Sequence, residues 1–164
     1  MQKIYKVIND LKSKYNSNIV FDTRLMKEND IFIGIKKDIN DGNLYYKDAI
    51  KKKASLIIAN VKTDHPKLVY VKDTQLFIIK FCKYLLENYK GKIIAITGSV
   101  GKTTFKENVY HILKNNNFKT YRSYKNYNNA QGLQFSIMNM YLNSDYSVFE
   151  LGINYSNEMT KLIK

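Results

Sequence analysis

The sequence has few of the residues that cross-link a chain or bind transition metals. Its 164 residues include one cysteine, Cys82, and two histidines, His65 and His111. A single cysteine excludes an intrachain disulfide, and the apolar helical stretch around Cys82 predicts a buried structural thiol. Neither histidine has companions at metal-ligand spacing, and no Ser/His/Asp arrangement is visible. The sequence therefore indicates neither a zinc site nor a hydrolase triad.

Long apolar runs are also missing. No segment approaches the roughly 20 apolar residues that a membrane-spanning helix needs. Residues 1–14 are periodic and charged, and they lack the continuous apolar segment of a signal peptide. We therefore expect a soluble, cytoplasmic protein with no membrane partner.

Acidic residues are scarce: 14 Asp and Glu stand against 27 Lys and Arg, which gives a formal net charge of +13. Such a balance favours anionic partners such as nucleotides, nucleic acid or anionic lipid. An alternative interpretation is compositional bias, because Lys, Asn, Ile and Tyr are all abundant, and the run Lys51–Lys53 fits a solvated helix face. No basic-aromatic motif accompanies the charge, so we expect no nucleic-acid partner.

The most informative segment is a glycine-containing loop that follows the apolar run Ile93–Ile96. Its residues are Thr97, Gly98, Ser99, Val100, Gly101, Lys102, Thr103 and Thr104. Gly98 and Gly101 permit close backbone approach, and loop amides at a helix N-terminus bind phosphate. In a P-loop, Lys102 would contact the β- and γ-phosphates and Thr103 would offer its hydroxyl to magnesium. Two residues separate the glycines where the general pattern has four, so the match is to a shortened variant.

Strand-like and helix-like segments alternate along the chain, which predicts an α/β protein. We expect a small N-terminal α/β lobe over residues 1–89, followed by the start of a mostly parallel-sheet P-loop domain over residues 90–164. The run Ile93–Ile96 predicts a strand buried on both faces of the sheet. A helix is expected from Asn157 to Lys164.

Glu150 ends the predicted strand Tyr146–Phe149. Ligand-binding groups of parallel α/β sheets stand at the carboxyl ends of strands, so this carboxylate could hold magnesium opposite Thr103. The alternative is an ordinary surface acid or a helix cap.

Two further polar segments have both a structural and a functional interpretation. Asn126, Asn128 and Asn129 form a cluster between two predicted elements, where asparagines commonly make turns. Asp22-Thr23-Arg24 follows a predicted short strand, where an Asp and an Arg commonly form a local ion pair.

Together these motifs resemble the Mur ligases, ATP-dependent enzymes that build the peptidoglycan stem peptide. The shortened P-loop is similar to the version found in that family. Three further segments carry the resemblance: Asn126–Asn129 with Gly132-Leu133; Phe149–Asn154 with Glu158-Met159; and Asp22–Arg24 with Asp30–Ile33 and Asp41-Gly42. Four positions depart from the family pattern: Asn29 and Asn157 replace glycines, Ile153 replaces a small residue, and Thr23 replaces a serine but keeps its hydroxyl.

The resemblance implies an ADP-forming amide ligase that uses ATP and Mg²⁺. ATP would phosphorylate the terminal carboxylate of UDP-N-acetylmuramoyl-tripeptide, and the amine of D-alanyl-D-alanine would attack the acyl phosphate. Lys102 and Glu150 would be catalytic, Thr103 and Glu150 would hold Mg²⁺, and the P-loop with Asn128 and Asn129 would bind ATP. Asp22, Thr23 and Arg24 in the N-terminal lobe would hold the uridine diphosphate end, in a protein expected to be a monomer.

Family members are much longer, so the chain resembles the N-terminal part of such a ligase, and we expect it not to complete ligation alone. Two other interpretations remain open. One is a stand-alone P-loop module that binds nucleotide without ligating anything. The other is a different ligase of the same family, against which the asparagine cluster argues.

Overall fold

The computed structural model describes residues 1–36, 40–124 and 128–152. The chain divides into two units, Met1–Tyr84 and Leu85–Lys164, each of which has its own sheet. The division lies within a helix.

The first unit contains a four-stranded, all-parallel sheet in the order β1-β2-β3-β4. Its elements are α1 (Gln2–Tyr15), β1 (Ile19–Val20), β2 (Ile31–Ile33), α2 (Tyr46–Lys51), β3 (Leu56–Ala59), β4 (Leu68–Tyr70) and α3 (Thr74–Asn88), with short 3₁₀ turns at Thr23–Leu25 and Gly42–Tyr45. The second turn leads directly into α2.

The core of the first unit follows from its apolar strands. Every residue of β2 and β3 is buried, because both strands are inner strands of the sheet. Helices α1 and α3 meet through aromatic rings, with the Tyr5 ring centroid 5.4 Å from that of Phe77 and 5.2 Å from that of Phe81. Cys82 is buried as predicted, and burial raises the pKa of its thiol to about 12.

The second unit has a three-stranded parallel sheet in the order β5-β7-β6. Its elements are β5 (Lys92–Ile96), α4 (Lys102–Asn115), β6 (Thr120–Arg122), α5 (Ala130–Asn139) and β7 (Tyr146–Glu150). The parallel register pairs Ile96 with Glu150, so the last residues of β5 and β7 are neighbours. The predicted α/β class with mostly parallel sheets is confirmed. The helix predicted over residues 157–164 lies outside the described residues.

The prediction that Ile93–Ile96 is buried on both faces is wrong. Within the described residues β5 is an edge strand, and Ile93 is 47% exposed while Ile96 is buried. The central strand β7 has the buried pattern instead, from Ser147 to Glu150. Over the described parts of the chain, no helix is both long and apolar enough to cross a bilayer.

Candidate functional site

The P-loop connects β5 to α4 in the predicted strand–loop–helix arrangement. Gly98 and Gly101 have φ angles of 149° and 75°, a region that side-chain-bearing residues rarely adopt. Gly101 is the N-cap of α4, and no side chain caps this helix end. The first N–H groups of α4 are therefore open to an anion, and the loop is exposed, with Val100 at 92%.

Lys102 is the first residue of α4, and its side chain folds back over the loop. Its Nζ donates a 2.7 Å hydrogen bond to the carbonyl oxygen of Gly98. The ammonium therefore lies beside the backbone that would surround a phosphate group.

Glu150 lies at the centre of a polar cluster beside the P-loop, in which Glu150 itself is buried, Asn128 is half-buried and Thr103 is exposed. Thr103 Oγ1 donates to Glu150 Oε2 at 2.8 Å, and Asn128 Nδ2 donates to Glu150 Oε1 at 3.0 Å. Lys106 Nζ lies 3.4 Å from the same Oε2. The structure thus brings Thr103, Asn128 and Glu150 together, three of the residues that the sequence singles out.

The environment of Glu150 keeps its carboxylate ionised. Burial by itself would raise the pKa of Glu150, because a charged carboxylate is poorly solvated there. The hydrogen bonds from Thr103 and Asn128 and the charge of Lys106 outweigh that effect and lower the pKa below its ordinary value of 4.5. The site therefore holds a negative charge at neutral pH, next to the open N-terminus of α4.

Sequence reasoning missed Lys106, which is fully buried. The signal was its position three residues after Thr103 on one helix, because residues at that spacing share a helix face. Lys106 Nζ also lies 3.7 Å from a carboxylate oxygen of Glu107, which in turn forms an ion pair with Arg122.

The two described asparagines of the predicted cluster have different contacts. Asn129 is the N-cap of α5, where its Oδ1 accepts from the Gly132 N–H at 2.8 Å. Asn128 contacts Glu150 through its side chain, and its backbone carbonyl accepts from the Gly152 N–H at 2.8 Å. Asn126 lies outside the described residues.

Gly152 is required by the position of the Asn128 side chain. A Cβ at residue 152 would lie 2.9 Å from both Cγ and Oδ1 of Asn128, closer than real Cβ contacts allow. The glycine therefore leaves the space in which the Asn128 amide reaches Glu150.

Asp22, Thr23 and Arg24 lie in the first unit and form a local structure there. Asp22 accepts from the Arg24 backbone N–H at 2.9 Å and pairs with the Arg24 guanidinium, with Nη2 2.7 Å from Oδ2. The hydrogen bond from the Arg24 side chain lowers the pKa of Asp22. Lys52 Nζ donates to the carbonyl oxygen of Thr23 at 2.7 Å. The structure shows the ion pair that the structural interpretation of this segment predicts.

A groove of about 760 Å³ lies elsewhere in the same unit, beside Asn43. Asn43 Oδ1 accepts from the Asn60 backbone N–H at 2.8 Å, and its amide donates to Asp41. The groove is lined mainly by apolar surface, together with Lys36, Asn60, Lys72, Asp73 and Lys80. Residues 22–24 are not part of that lining.

The residues around Glu150 fit a small hard cation. Thr103 Oγ1 and Glu150 Oε2 are oxygen atoms 2.8 Å apart beside the phosphate-binding loop. Mg²⁺ prefers oxygen ligands and is commonly held by one or two protein groups together with substrate phosphates. Among the described residues no group of three or more His, Cys, Asp or Glu side chains forms an all-protein metal cage.

The parallel sheet, the strand–loop–helix arrangement and the carboxylate beside the loop define an α/β protein of the P-loop class. A family model described as the Mur ligase middle domain matches residues 96–164. The UDP-N-acetylmuramoyl-tripeptide–D-alanyl-D-alanine ligase of Rickettsia prowazekii is 35% identical over 159 residues, which cover 94% of this chain and 35% of the relative. Residues 96–164 therefore match the middle domain of the Mur ligase family, and almost the whole chain is similar to a member of that family.

Two further comparisons agree with that assignment. The ligase of the same name from Buchnera aphidicola subsp. Baizongia pistaciae is 31% identical over 154 residues, covering 90% of this chain and 33% of the relative. A MurF ligase from Thermotoga maritima, crystallised in complex with ADP, superposes with a TM-score of 0.68 at 29% identity, covering 89% of this chain and 34% of that one. The chain spans about a third of the length of the curated relatives that it matches.

Proposed function

We propose that the chain forms the nucleotide-binding and substrate-binding part of an ATP-dependent ligase that joins D-alanyl-D-alanine to UDP-N-acetylmuramoyl-tripeptide. The observation that carries the proposal is the contact between Thr103 and Glu150, which places a P-loop hydroxyl and a buried carboxylate 2.8 Å apart. The names of the similar ligases supply the substrates.

The proposed reaction proceeds through an acyl phosphate. The γ-phosphate of ATP passes to the terminal carboxylate of the tripeptide, the amine of D-alanyl-D-alanine attacks the acyl carbon, and phosphate leaves. Such transfers depend mainly on positioning and on charge stabilisation. The loop amides would bind the phosphates, and Lys102 would leave its contact with Gly98 to face the γ-phosphate.

Thr103 and Glu150 would hold Mg²⁺, which when bound neutralises phosphate charge. Asn128 would position Glu150, and Asn129 would order the segment next to the nucleotide by capping α5. Ser99, Val100 and Thr104 belong to the same exposed loop and helix start, where they would line the phosphate site.

The first unit would bind the uridine diphosphate end of the substrate, as the family resemblance of Asp22, Thr23 and Arg24 implies. The exposed guanidinium of Arg24 is a suitable partner for a phosphate group. The same proposal assigns residues 1–89 to substrate binding and residues 90–164 to nucleotide binding. It also includes a monomeric state and a cytoplasmic location.

The 164 residues correspond to about a third of the similar ligases. We therefore propose that they bind nucleotide without completing the ligation on their own. Product formed from ATP and both substrates by the purified 164-residue chain would contradict this part of the proposal.

Replacing Lys102 with alanine tests the nucleotide site. A hydrogen bond to a charged group contributes roughly 1.5–3 kcal/mol, so Lys102→Ala should weaken ATP binding about 10- to 100-fold. Titration calorimetry measures the affinity, and circular dichroism should show an unchanged fold because Lys102 lies at a loop–helix junction.

Lys114→Ala is the matched control, since Lys114 is exposed in the last turn of the same helix. Equal ATP affinities for Lys102→Ala and the parent chain would refute the site. ATP binding without any binding of a uridine-diphosphate sugar would instead favour a stand-alone nucleotide-binding module.

A further inference from the structure

We propose that Lys106 is a positioning residue that fixes the Glu150 carboxylate for the metal-bound nucleotide. This inference rests on the proposed function, because it assigns a partner to the carboxylate that would hold the cation. Neither the P-loop pattern nor the family resemblance given above assigns a role to Lys106.

The geometry fixes both oxygens of the carboxylate. Thr103 and Lys106 are three residues apart on α4 and reach the same atom, Glu150 Oε2, at 2.8 Å and 3.4 Å. Asn128 approaches Oε1 from a different segment. Among the described residues three side-chain donors therefore hold the carboxylate from two directions, and one of these three, Lys106, carries a charge.

The burial of Lys106 indicates that neighbouring carboxylates balance its positive charge. Removing an ammonium from water is costly, and a lysine is rarely fully buried unless carboxylates face it. Lys106 is 0% exposed, and its Nζ lies between Glu150 and Glu107, at 3.4 Å and 3.7 Å. An apolar residue of equal length would fill the same volume, but it would leave Glu150 with two neutral donors.

Removal of Lys106 should affect the binding of the metal and not the binding of the phosphates. Outer groups that orient a metal ligand typically change metal affinity 10- to 100-fold when they are removed. The loop amides and Lys102 bind phosphate without the help of Glu150. Loss of Lys106 should therefore weaken the magnesium-dependent part of nucleotide binding and leave the magnesium-independent part in place.

The test measures the Kd of a non-hydrolysable ATP analogue in EDTA and in excess MgCl₂, by titration calorimetry on the 164-residue chain. In Lys106→Met the ratio of the Kd in EDTA to the Kd in MgCl₂ should fall about tenfold. The Kd in EDTA should stay within about twofold of the parent value. Lys114→Met, the same change at an exposed position of α4, should keep the parent ratio. Should Lys106→Met fail to fold, Lys106→Gln, which retains an N–H donor without the charge, should shift the ratio in the same direction.

The Glu150→Gln background distinguishes a positioning role of Lys106 from a general loss of structure. In Glu150→Gln the ratio is already reduced, and adding Lys106→Met should reduce it no further, because the lysine acts through that carboxylate. An unchanged or increased ratio in Lys106→Met, or a further tenfold loss in the Glu150→Gln background, would overturn the role of Lys106. A parent chain that binds no analogue would overturn the proposed function instead.

Discussion

The two units each contain a carboxylate paired with a cation, and the two pairs differ in almost every respect. Asp22 and Arg24 are two residues apart, their closest atoms are 2.7 Å apart, and their side chains are 36% and 87% exposed. Glu150 and Lys106 are 44 residues apart and 3.4 Å from each other, with side chains 2% and 0% exposed.

The comparison predicts that the shorter ion pair is the less important one for stability. Water and salt screen an exposed pair, and its partners remain solvated when it breaks. A buried pair has no such alternative, because removal of one partner leaves the other charge without solvent. The pair that links distant segments should therefore matter for folding, and the local pair should matter only for its own loop.

The largest effect is expected when the buried pair is broken. Lys106→Met should lower the free energy of unfolding by roughly 3–5 kcal/mol, because Glu150 would remain buried with only neutral donors. Urea denaturation measures the change. The double variant with Glu150→Gln should be more stable than Lys106→Met alone, since it removes the uncompensated charge. A loss well under 1 kcal/mol would mean that water reaches Glu150.

A smaller effect is expected from crowding Asn128. The Cβ of Gly152→Ala would meet the Asn128 side chain at 2.9 Å, and overpacking of this kind costs roughly 1–3 kcal/mol. Asn128→Ala opens that space, so adding Gly152→Ala to Asn128→Ala should cost less than Gly152→Ala costs in the parent chain. Thermal unfolding of the four proteins gives the comparison, and purely additive effects would show that the two residues do not interact.

The smallest effect is expected at the exposed pair. Arg24→Met should lower the urea midpoint only slightly at neutral pH, and the pKa of Asp22 should rise towards its ordinary value of 3.8, because the hydrogen bond from the Arg24 side chain that lowers it is lost. The lowered pKa contributes its full benefit to the fold above pH 3.8, and that benefit is lost as the pH falls through the lower pKa of the folded state. Carboxyl chemical shifts between pH 2 and 6 report the titration. A pKa that does not move would assign the shift to the backbone N–H of residue 24 and to Lys52 instead.

The parts of the site that the sequence predicts are those encoded locally. The functional residues of the loop from Thr97 to Thr104 are adjacent in the sequence. Glu150 is indicated by its position at the end of an apolar strand. Asp22–Arg24 was open to two interpretations, and the structure shows the local ion pair while leaving a substrate role as a proposal. Each of these depends on neighbours within a few residues.

The remaining features depend on contacts that a linear pattern does not contain. Lys106 has the appearance of a surface lysine, because its carboxylate partner is 44 residues further along the chain. The apolar run Ile93–Ile96 predicts a strand correctly, but apolarity alone does not show which neighbours cover its faces. Asn129 was grouped with Asn128, although one caps a helix and the other contacts Glu150.

Ile96 at the end of β5 pairs with Glu150 at the end of β7, so the register of these two strands sets the position of the carboxylate relative to the P-loop. Successive side chains of a strand point to opposite faces, so a one-residue shift of β7 against β5 would turn the carboxylate away from Thr103 while leaving every loop residue in place. A single-residue insertion or deletion inside β7 would separate the acid from the loop as completely as a substitution.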